Sequence, residues 1–509
     1  MGGLERLDGP GGRGSVAAPS RAAGWSVAAT AAVLALAVRW SMVGGRVGLY
    51  GYQGYDDGVY FASAVAFVHG QMPYRDFLLL HPPGIMLALA PFAALARRTG
   101  DATALAAARA AFIGLGALST VLVTRIARRW GTAPMVAAAL LYALSPAAAY
   151  ADRITLLEPL GTVTLLGAVV LLVRASDTGA PGWCTWVGGA VLGLGPAVKI
   201  WNVVPVLVVV AWQAHVRGVR TALVVGSAAA ASTTLVLLPF AVTAPARMLR
   251  LVVLDQLGRA RTPASTATRL TGIAGLDVTS APTTGPGGAA LLVLVCGLVV
   301  ACAAVAWHGR RGRLWVVLLA GEVAVLLLSP SYFAHYAAFS AAALALVVAA
   351  AVPVVPAPAR VATAAALCLA LGALAVAVQA PAPVPFPAAE IRRHLPATGC
   401  IRSDSPGALA LLGVLSRDVA RGCPVPVDLS GQTYDVGSRD RHGKAVPRIL
   451  NQRWQRDVTQ YLTSGAATVL ARGVGDGFDA GTTRALGRLT TVVDRHGIRL
   501  LLPRPDRSP

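Results

Sequence analysis

The most restrictive feature of this sequence is a series of long apolar runs that contain few or no charged residues. Only 13% of the 509 residues are charged, whereas a soluble globular chain carries about 25%. Many of the runs reach roughly 18 residues, which is enough for a helix to cross the hydrocarbon core. They do not alternate in polarity as the strands of a membrane barrel do. Because backbone amides in lipid must be satisfied internally, we predict an all-α polytopic membrane protein.

The apolar runs predict about eleven transmembrane helices in the first 380 residues. We place the spans at 25–43, 104–124, 133–150, 157–173, 184–198, 200–213, 221–242, 289–307, 314–329, 337–352 and 361–380. Residues 1–24 are then a tail, and residues 25–380 form the membrane domain.

Arginine residues indicate the orientation of these spans. With a cytoplasmic N-terminus, every inner loop between spans is basic, as the positive-inside rule requires. The inner-loop arginines are Arg125, Arg128, Arg129, Arg174, Arg217, Arg220, Arg310, Arg311, Arg313 and Arg360. This distribution explains much of the formal charge of +21. The chain also lacks the basic and aromatic motifs of nucleic-acid-binding folds, so we predict no nucleic-acid partner.

Two long outer segments result from this topology, at 44–103 and 243–288. Residues 84–96 are apolar but too short to span, and we expect a helix lying in the outer interface. The segment 243–288 violates the charge bias because it carries several arginines on the outside. They are Arg247, Arg250, Arg259, Arg261 and Arg269.

The last part of the chain, 381–509, has a different composition and predicts a small α/β domain outside the cytoplasm. Short apolar runs at Ala466–Ala471 and Arg499–Leu502 suit strands, and Gly407–Leu415 suits a helix. Cys400 and Cys423 both fall in this domain. An oxidising compartment permits a disulfide between them, and two unpaired thiols are the alternative.

Charged residues at the outer ends of predicted spans are the candidates for chemistry. Asp56 and Asp57 follow the first span, Glu158 lies at the mouth of another, and Lys199 lies between two spans. An ionisable group at a membrane boundary is costly unless it is paired or solvated, so it is a functional candidate. The alternative for Asp56 and Asp57 is that they solvate a loop or cap a helix.

Several short motifs occur in an order that resembles the GT-C superfamily of membrane glycosyltransferases. The nearest branch contains the aminoarabinose transferases of lipid A and the protein O-mannosyltransferases. The motifs read YDDGVY from Tyr55, PYRDF from Pro73, HPPG from His81, LEP from Leu157, GPAVK from Gly195, LPF from Leu238 and YFAHY from Tyr332. They cover roughly the first 340 residues. Asp57 and His81 depart from the common pattern, in which Glu and Lys are frequent.

The resemblance implies transfer of a sugar from a polyprenyl-phosphate donor to an acceptor hydroxyl, with inversion, at the extracytoplasmic face. It implies Asp56 as general base, with Asp57 and Glu158 as orienting or alternative bases. Lys199, Arg259 and Arg261 would hold the phosphate. Tyr55, Tyr60, His81 and His335 would line the sugar site, although aromatic residues also anchor helices at membrane interfaces.

We expect no required cofactor; the sequence indicates no metal site but leaves participation of a divalent ion open, and the acceptor can be a glycan, a lipid or a protein. Mannose, arabinose and related sugars all suit the motifs. Two other functions remain open at this stage. A transporter or lipid flippase would place its polar site near the midplane, between repeated halves. A scaffold that displays the C-terminal domain would have no use for Asp56, Glu158 and Lys199.

Overall fold

A computed structural model describes residues 19–177, 182–259, 262–279, 285–354, 383–435, 439, 441, 445–472 and 477–504. Within these ranges, seven helices are long and apolar enough to cross a membrane. They are Arg21–Val43, Asp101–Trp130, Leu157–Ser176, Ile200–Arg217, Val219–Ala241, Gly285–His308 and Ala334–Ala351. A bent pair, Thr132–Ala143 and Pro146–Asp152, makes an eighth if it is counted as one span.

The polytopic all-α architecture is therefore confirmed, but a count of eleven spans is not. Trp183–Val198 and Arg313–Leu328 coincide with predicted spans but have only 16 residues each. At 1.5 Å per residue, such helices are about 24 Å long, which is less than the hydrocarbon thickness. The last predicted span, 361–380, lies outside the described residues.

Small residues bring two of the apolar helices into close contact. Gly189 and Gly193 lie one turn apart on the helix Trp183–Val198, which packs against Val219–Ala241. A Cβ atom on Gly193 would lie 2.1 Å from the Ala229 carbonyl oxygen. Such small residues allow two helix backbones to approach closely. Close packing matters in a membrane, because the lipid is as apolar as the side chains and the hydrophobic effect does not drive helices together.

The arginine-rich ends of the helices lie together at one end of the bundle. Arg128 donates a hydrogen bond of 2.8 Å to the carbonyl of Pro19, and Arg217 donates one of 3.3 Å to that of Ala175. One small cleft is lined from several of these ends, by Ile126, Arg129, Val173, Trp212 and Arg313. This clustering is the arrangement that the positive-inside rule predicts for one membrane face.

Short helices form the opposite end of the bundle. The first predicted outer segment contains Gly45–Leu49, Tyr55–Val68 and Gly84–Thr99. The last of these is the helix expected at 84–96, and its position at a membrane interface stays a prediction. The second outer segment contains Pro245–Leu249, a π-helical turn at Arg250–Leu254, Asp255–Leu257 and Thr266–Ile273.

The C-terminal part is a small α/β unit, as the sequence predicted. Its strands are β1 (Ile401–Ser403), β2 (Ala467–Leu470), β3 (Thr490–Arg495) and β4 (Ile498–Leu502), in the sheet order β1-β2-β4-β3. β1 and β2 are parallel, and the other pairs are antiparallel. The helices are Ala388–His394, Pro406–Leu412, Leu415–Ala420, Gln432–Asp435, Gln452–Thr463 and Ala480–Leu486. A disulfide joins Cys400 to Cys423, with Cα atoms 5.8 Å apart.

The α/β unit packs directly onto the short helices of the membrane part. Gly58 and Gly407 meet where the helices Tyr55–Val68 and Pro406–Leu412 cross, and a Cβ on Gly58 would lie 2.4 Å from the Gly407 nitrogen. Asp435 forms ion pairs with both Arg247 and Arg250. The close contact between these two glycines and the ion pairs of Asp435 together hold the α/β unit over the outer loops.

Candidate active site

A cavity of about 950 Å³ lies between the membrane part and the α/β unit. Four stretches of chain contribute most of its wall: 53–60, 79–81, 332–336 and 428–434. The short helices at this end of the bundle therefore form the floor, and the α/β unit forms the roof. The candidates from the sequence that lie on this wall are Tyr55, Asp56, Asp57, Tyr60, His81, Arg259 and His335.

Asp56 is a carboxylate on the cavity wall to which no described residue binds. It lies in the first turn of the helix Tyr55–Val68, where the helix dipole stabilises negative charge. Among the described residues, none forms a hydrogen bond or ion pair with it. Lys199 and Arg259 lie within electrostatic range. A carboxylate in this position can accept a proton from a bound substrate.

Asp57 has a different environment from its neighbour and is not a free base. Its side chain is buried in an ion pair with Arg109, whose Nε lies 3.0 Å from Oδ2. Thr155 donates to Oδ1 from its hydroxyl at 2.7 Å and from its backbone N–H at 3.1 Å. Arg109 also binds the carbonyl oxygen of Leu49. The hypothesis that Asp57 is an alternative base does not fit this geometry, because both carboxylate oxygens are engaged in holding the chain.

Glu158 and Lys199 also pair with each other and do not line the cavity. Their Oε1 and Nζ atoms lie 2.6 Å apart, and both side chains are 3% exposed or less. The ammonium group lies 3.7 Å from the ring centre of Tyr336 and 4.0 Å from that of Trp201. The expectations that Lys199 holds a phosphate and that Glu158 serves as a base therefore do not fit the structure. The pair instead supports Tyr336, which does reach the cavity.

Arg259 is the guanidinium group from the basic outer segment that reaches the cavity. It lies over the ring of Tyr434 at 5.4 Å, and its buried Nε has no hydrogen-bond partner in the described part of the chain. An arginine held in this way can bind an oxyanion through several N–H donors. Arg261, the other predicted phosphate ligand, lies outside the described residues.

The remaining arginines of the basic segment have structural contacts. Arg247 and Arg250 bind Asp435 of the roof. Arg269 is buried and donates hydrogen bonds of 2.8 Å to the carbonyls of Leu326 and Ser329, at the end of a membrane helix. The excess of outer arginines is thus explained mainly by docking and helix capping.

Aromatic and imidazole rings line the cavity around Asp56. His81 meets the edge of Tyr60 at 5.8 Å, and Tyr74 donates to the His81 carbonyl at 2.7 Å. Burial, together with Arg259 nearby, holds the pKa of His81 well below its usual range, so the ring is neutral at pH 7. His335 is stacked on Phe333 at 5.9 Å. Neutral rings of this kind suit the faces and hydroxyls of a sugar.

The roof contributes polar groups that sequence reasoning did not find. Asp428 accepts a hydrogen bond of 2.9 Å from the Tyr55 hydroxyl, which in turn accepts one of 2.9 Å from the Ser430 N–H. Arg472 lies over the Tyr55 ring at 3.8 Å, and Arg448 also lines the cavity. Tyr55 therefore connects the floor to the roof. The C-terminal sequence carries no motif that marks these residues.

Arg439 forms an ion pair with Asp255 of the membrane part, and Arg448 lies at the cavity. No cluster of three or more His, Cys, Asp or Glu side chains with metal-binding geometry occurs in the described ranges. The described wall therefore offers carboxylate, guanidinium and aromatic groups to a ligand.

Comparison with known proteins shows similarity in structure but not in sequence. No family model and no curated protein matches the chain. The structure is similar to that of ArnT from Cupriavidus metallidurans in the apo state, with a TM-score of 0.56 and 14% identity over 95% of this chain and 98% of that one. The same protein bound to undecaprenyl phosphate gives a TM-score of 0.50 at 14% identity, over 94% of this chain and 98% of that one.

A second similar structure is the archaeal oligosaccharyltransferase AglB from Archaeoglobus fulgidus, in complex with an inhibitory peptide and a dolichol-phosphate. The TM-score is 0.55 and the identity 14%, over 88% of this chain and 69% of that one. Both matches extend over the membrane part and the C-terminal part together. The fold that the sequence motifs predicted is confirmed.

Proposed function

Because the chain has the fold of the GT-C superfamily, we propose that it is a membrane glycosyltransferase. It transfers a sugar from a polyprenyl-phosphate donor to an acceptor hydroxyl, at the extracytoplasmic face. The observation that supports this most is one cavity whose wall holds both Asp56, a carboxylate that no described residue binds, and the guanidinium group of Arg259. The similar structures from C. metallidurans and A. fulgidus hold a polyprenyl phosphate and a dolichol phosphate.

The reaction is a single displacement. The acceptor oxygen attacks the anomeric carbon while Asp56 takes the hydroxyl proton. The bond between the anomeric carbon and the phosphate oxygen breaks, and its electron pair leaves with the polyprenyl phosphate. Arg259 stabilises the negative charge that develops on this leaving group. One displacement from the opposite side inverts the anomeric configuration.

The two ends of the bundle support the proposed orientation in the membrane. The arginine-rich ends mark the cytoplasmic side, and the cavity lies at the other end. In the helix Leu157–Asp177, for example, Glu158 and Arg174 are 16 residues apart, or about 24 Å along the axis. A lipid-linked sugar could thus keep its chain in the bilayer while its headgroup enters the cavity.

An assay with a radiolabelled polyprenyl-phosphate sugar tests the proposal. Membranes with the full chain should transfer label to an endogenous acceptor, using a panel of mannosyl and arabinosyl donors. Asp56→Asn should lower the rate about 10²- to 10⁴-fold, the usual contribution of a general base. The protein level should not fall, because Asp56 has no described partner to lose.

Asp457→Asn is the matched control, because Asp457 is exposed on the helix Gln452–Thr463 of the α/β unit. It should leave the rate unchanged. Full activity of Asp56→Asn would remove Asp56 as the base. Movement of the intact donor across the membrane without any transfer would instead favour a flippase.

A further inference from the structure

Two neighbouring apolar side chains of the α/β unit are exposed beside the cavity. Ile449 and Leu450 are 53% and 66% exposed, and in the described part of this unit they are the two large hydrophobic side chains that are mainly in solvent. They end the short turn Arg448–Leu450, which buries none of its residues. Single exposed hydrophobic residues are ordinary, but exposed apolar residues that occur together mark a contact with a partner or a membrane.

The cavity brings this pair close to the level at which the chain enters the membrane. Ile449 lines the cavity, and so does Phe333, which is 43% exposed. Phe333 directly precedes the membrane-spanning helix Ala334–Ala351. Because both side chains line the cavity and are about half exposed, they lie where it opens. The opening therefore has apolar edges both on the α/β unit and at the end of a membrane helix.

An ion pair between the α/β unit and the second outer segment indicates the same level. Arg439, which precedes the turn in sequence, binds Asp255. Leu254 and Leu257 lie on either side of Asp255 and are 54% and 72% exposed. This segment begins directly after the span Val219–Ala241, so its exposed leucines lie near the membrane surface. The α/β unit is thus held where apolar side chains of the membrane part meet lipid.

Basic residues continue the exposed surface from the apolar pair. Arg453 and Arg456 are exposed on the helix Gln452–Thr463, which starts just after the turn. Apolar side chains bordered by arginines are typical of surfaces that bind a bilayer, with the apolar groups at the acyl boundary and the cations at the lipid phosphates. A water-soluble partner would not explain why the apolar pair lies beside the end of a membrane helix.

We propose that Ile449, Leu450, Arg453 and Arg456 form a membrane-contact patch that binds anionic phospholipid in the leaflet beside the cavity. The two apolar side chains enter the boundary between headgroups and acyl chains, and the two arginines bind lipid phosphates. Such a contact can be weak, because the α/β unit is tethered to the spans and meets the lipid at a high effective concentration. The patch holds the opening of the cavity against the lipid surface.

The depth of a nitroxide label in the bilayer tests the patch directly. Leu450→Cys is spin-labelled in the full chain in phosphatidylcholine nanodiscs. Every cysteine outside the disulfide is first replaced by alanine, namely Cys184, Cys296, Cys302 and Cys368. Power saturation measures the accessibility of the label to oxygen, which concentrates in the bilayer, and to a nickel chelate, which stays in water. We expect a high ratio of oxygen to nickel accessibility at Leu450.

Two other positions calibrate this ratio. Leu235→Cys, at a 75% exposed leucine of a membrane-spanning helix, should give the value for lipid. Ser464→Cys should give the value for water, because this exposed residue ends the helix Gln452–Thr463, about 18 Å along its axis from the patch. We expect the Leu450 ratio to lie well above that of Ser464. Equal ratios at Leu450 and Ser464 would overturn the inference and leave the apolar pair to an acceptor or a protein partner.

The lipid composition tests the contribution of the two arginines. When phosphatidylglycerol replaces part of the phosphatidylcholine, the Leu450 ratio should rise, because anionic headgroups attract the basic side of the patch. Arg453→Gln/Arg456→Gln should remove this rise without changing the ratio at Leu235. A Leu450 ratio that does not respond to phosphatidylglycerol would contradict the binding of anionic lipid. Neither a donor nor an acceptor is present, so this result is separate from the test of the proposed sugar transfer.

Discussion

Charged side chains form ion pairs in the buried layer of the membrane part, whereas two of those on the cavity wall do not. Among the described residues, three ion pairs are buried between helices of the membrane part: Arg39 with Asp152, Asp57 with Arg109, and Glu158 with Lys199. On the wall, Asp56 and Arg259 form no ion pair with any described residue. Charges inside a membrane protein are costly unless they are paired, so the buried pairs hold the helices together. Asp56 and Arg259 thus remain available to a substrate.

Asp56 and Asp57 are the sharpest form of this contrast, because they are adjacent in sequence. Successive residues of a helix point about 100° apart. Both residues border the cavity, but the carboxylate of Asp57 binds Arg109 and Thr155, whereas no described residue binds that of Asp56. The ion pair of Asp57 fixes the first helical turn and so fixes the direction of Asp56.

Removing Arg109 should give the largest loss of stability. Arg109→Met leaves the Asp57 carboxylate buried without its cation, which typically costs about 3–5 kcal/mol. The measurement is thermal unfolding of the detergent-solubilised protein, with Asp56→Asn for comparison. We expect a large fall in the melting temperature for Arg109→Met and almost none for Asp56→Asn. Equal losses in the two variants would contradict the contrast between layer and wall.

One substitution breaks the Glu158–Lys199 pair and two substitutions remove it, and both variants test the contrast between buried pairs and wall charges. Glu158→Gln leaves a buried ammonium group unpaired and should destabilise the protein by a similar or slightly smaller amount, because the rings of Trp201 and Tyr336 still contact the cation. Replacing both partners, as Glu158→Gln/Lys199→Met, should restore much of the stability, since no buried charge remains. The measurement is the melting temperature of the double variant compared with that of Glu158→Gln.

The same double variant tests whether Glu158 and Lys199 have a structural or a catalytic role. It should keep measurable transfer activity, because neither residue lines the cavity. Activity as low as that of Asp56→Asn, in a protein of restored stability, would show that Glu158 or Lys199 takes part in the chemistry.

Arg259 should show the smallest effect on stability and a specific effect on the donor. A hydrogen bond to a charged group contributes about 1.5–3 kcal/mol, which corresponds to roughly 10- to 150-fold in binding or rate. Arg259→Gln should therefore raise KM for the polyprenyl-phosphate sugar, lower kcat, or both, with little change in melting temperature. Arg259→Lys should recover part of the loss. A stable variant with unchanged kinetics would exclude Arg259 as the phosphate ligand.

Much of the membrane part could be predicted from the sequence because one physical constraint dominates it. Uncharged apolar runs locate helices directly, and the helices Val219–Ala241 and Gly285–His308 fall where the runs at 221–242 and 289–307 predict them. Two of the four strands of the α/β unit, β2 and β4, fall at the predicted runs Ala466–Ala471 and Arg499–Leu502, whereas β1 and β3 were not predicted. The choice of carboxylate for the cavity, Asp56, agrees with the geometry.

Pairing was the part that the sequence did not reveal. Arg39 and Arg109 lie inside predicted spans, where an arginine is costly, and this was a signal that each needs a buried acid. The resemblance predicted that Lys199 would bind a phosphate. A buried ammonium group first needs a counter-ion, however, and the carboxylate of Glu158 supplies it. The roof residues Arg448 and Arg472 carry no such signal, because their place at the cavity depends on how the α/β unit docks.

In this account the buried ion pairs are structural, and Asp56 and Arg259 act on the substrate. The position of a bound donor is the most direct test of this division. A structure of the full chain with a non-hydrolysable polyprenyl-phosphonate sugar should place the phosphonate oxygens within hydrogen-bond distance of the Arg259 guanidinium. The anomeric carbon should face Asp56, with Glu158 and Lys199 still paired beneath. A phosphonate bound to Lys199, with that pair broken, would contradict the account.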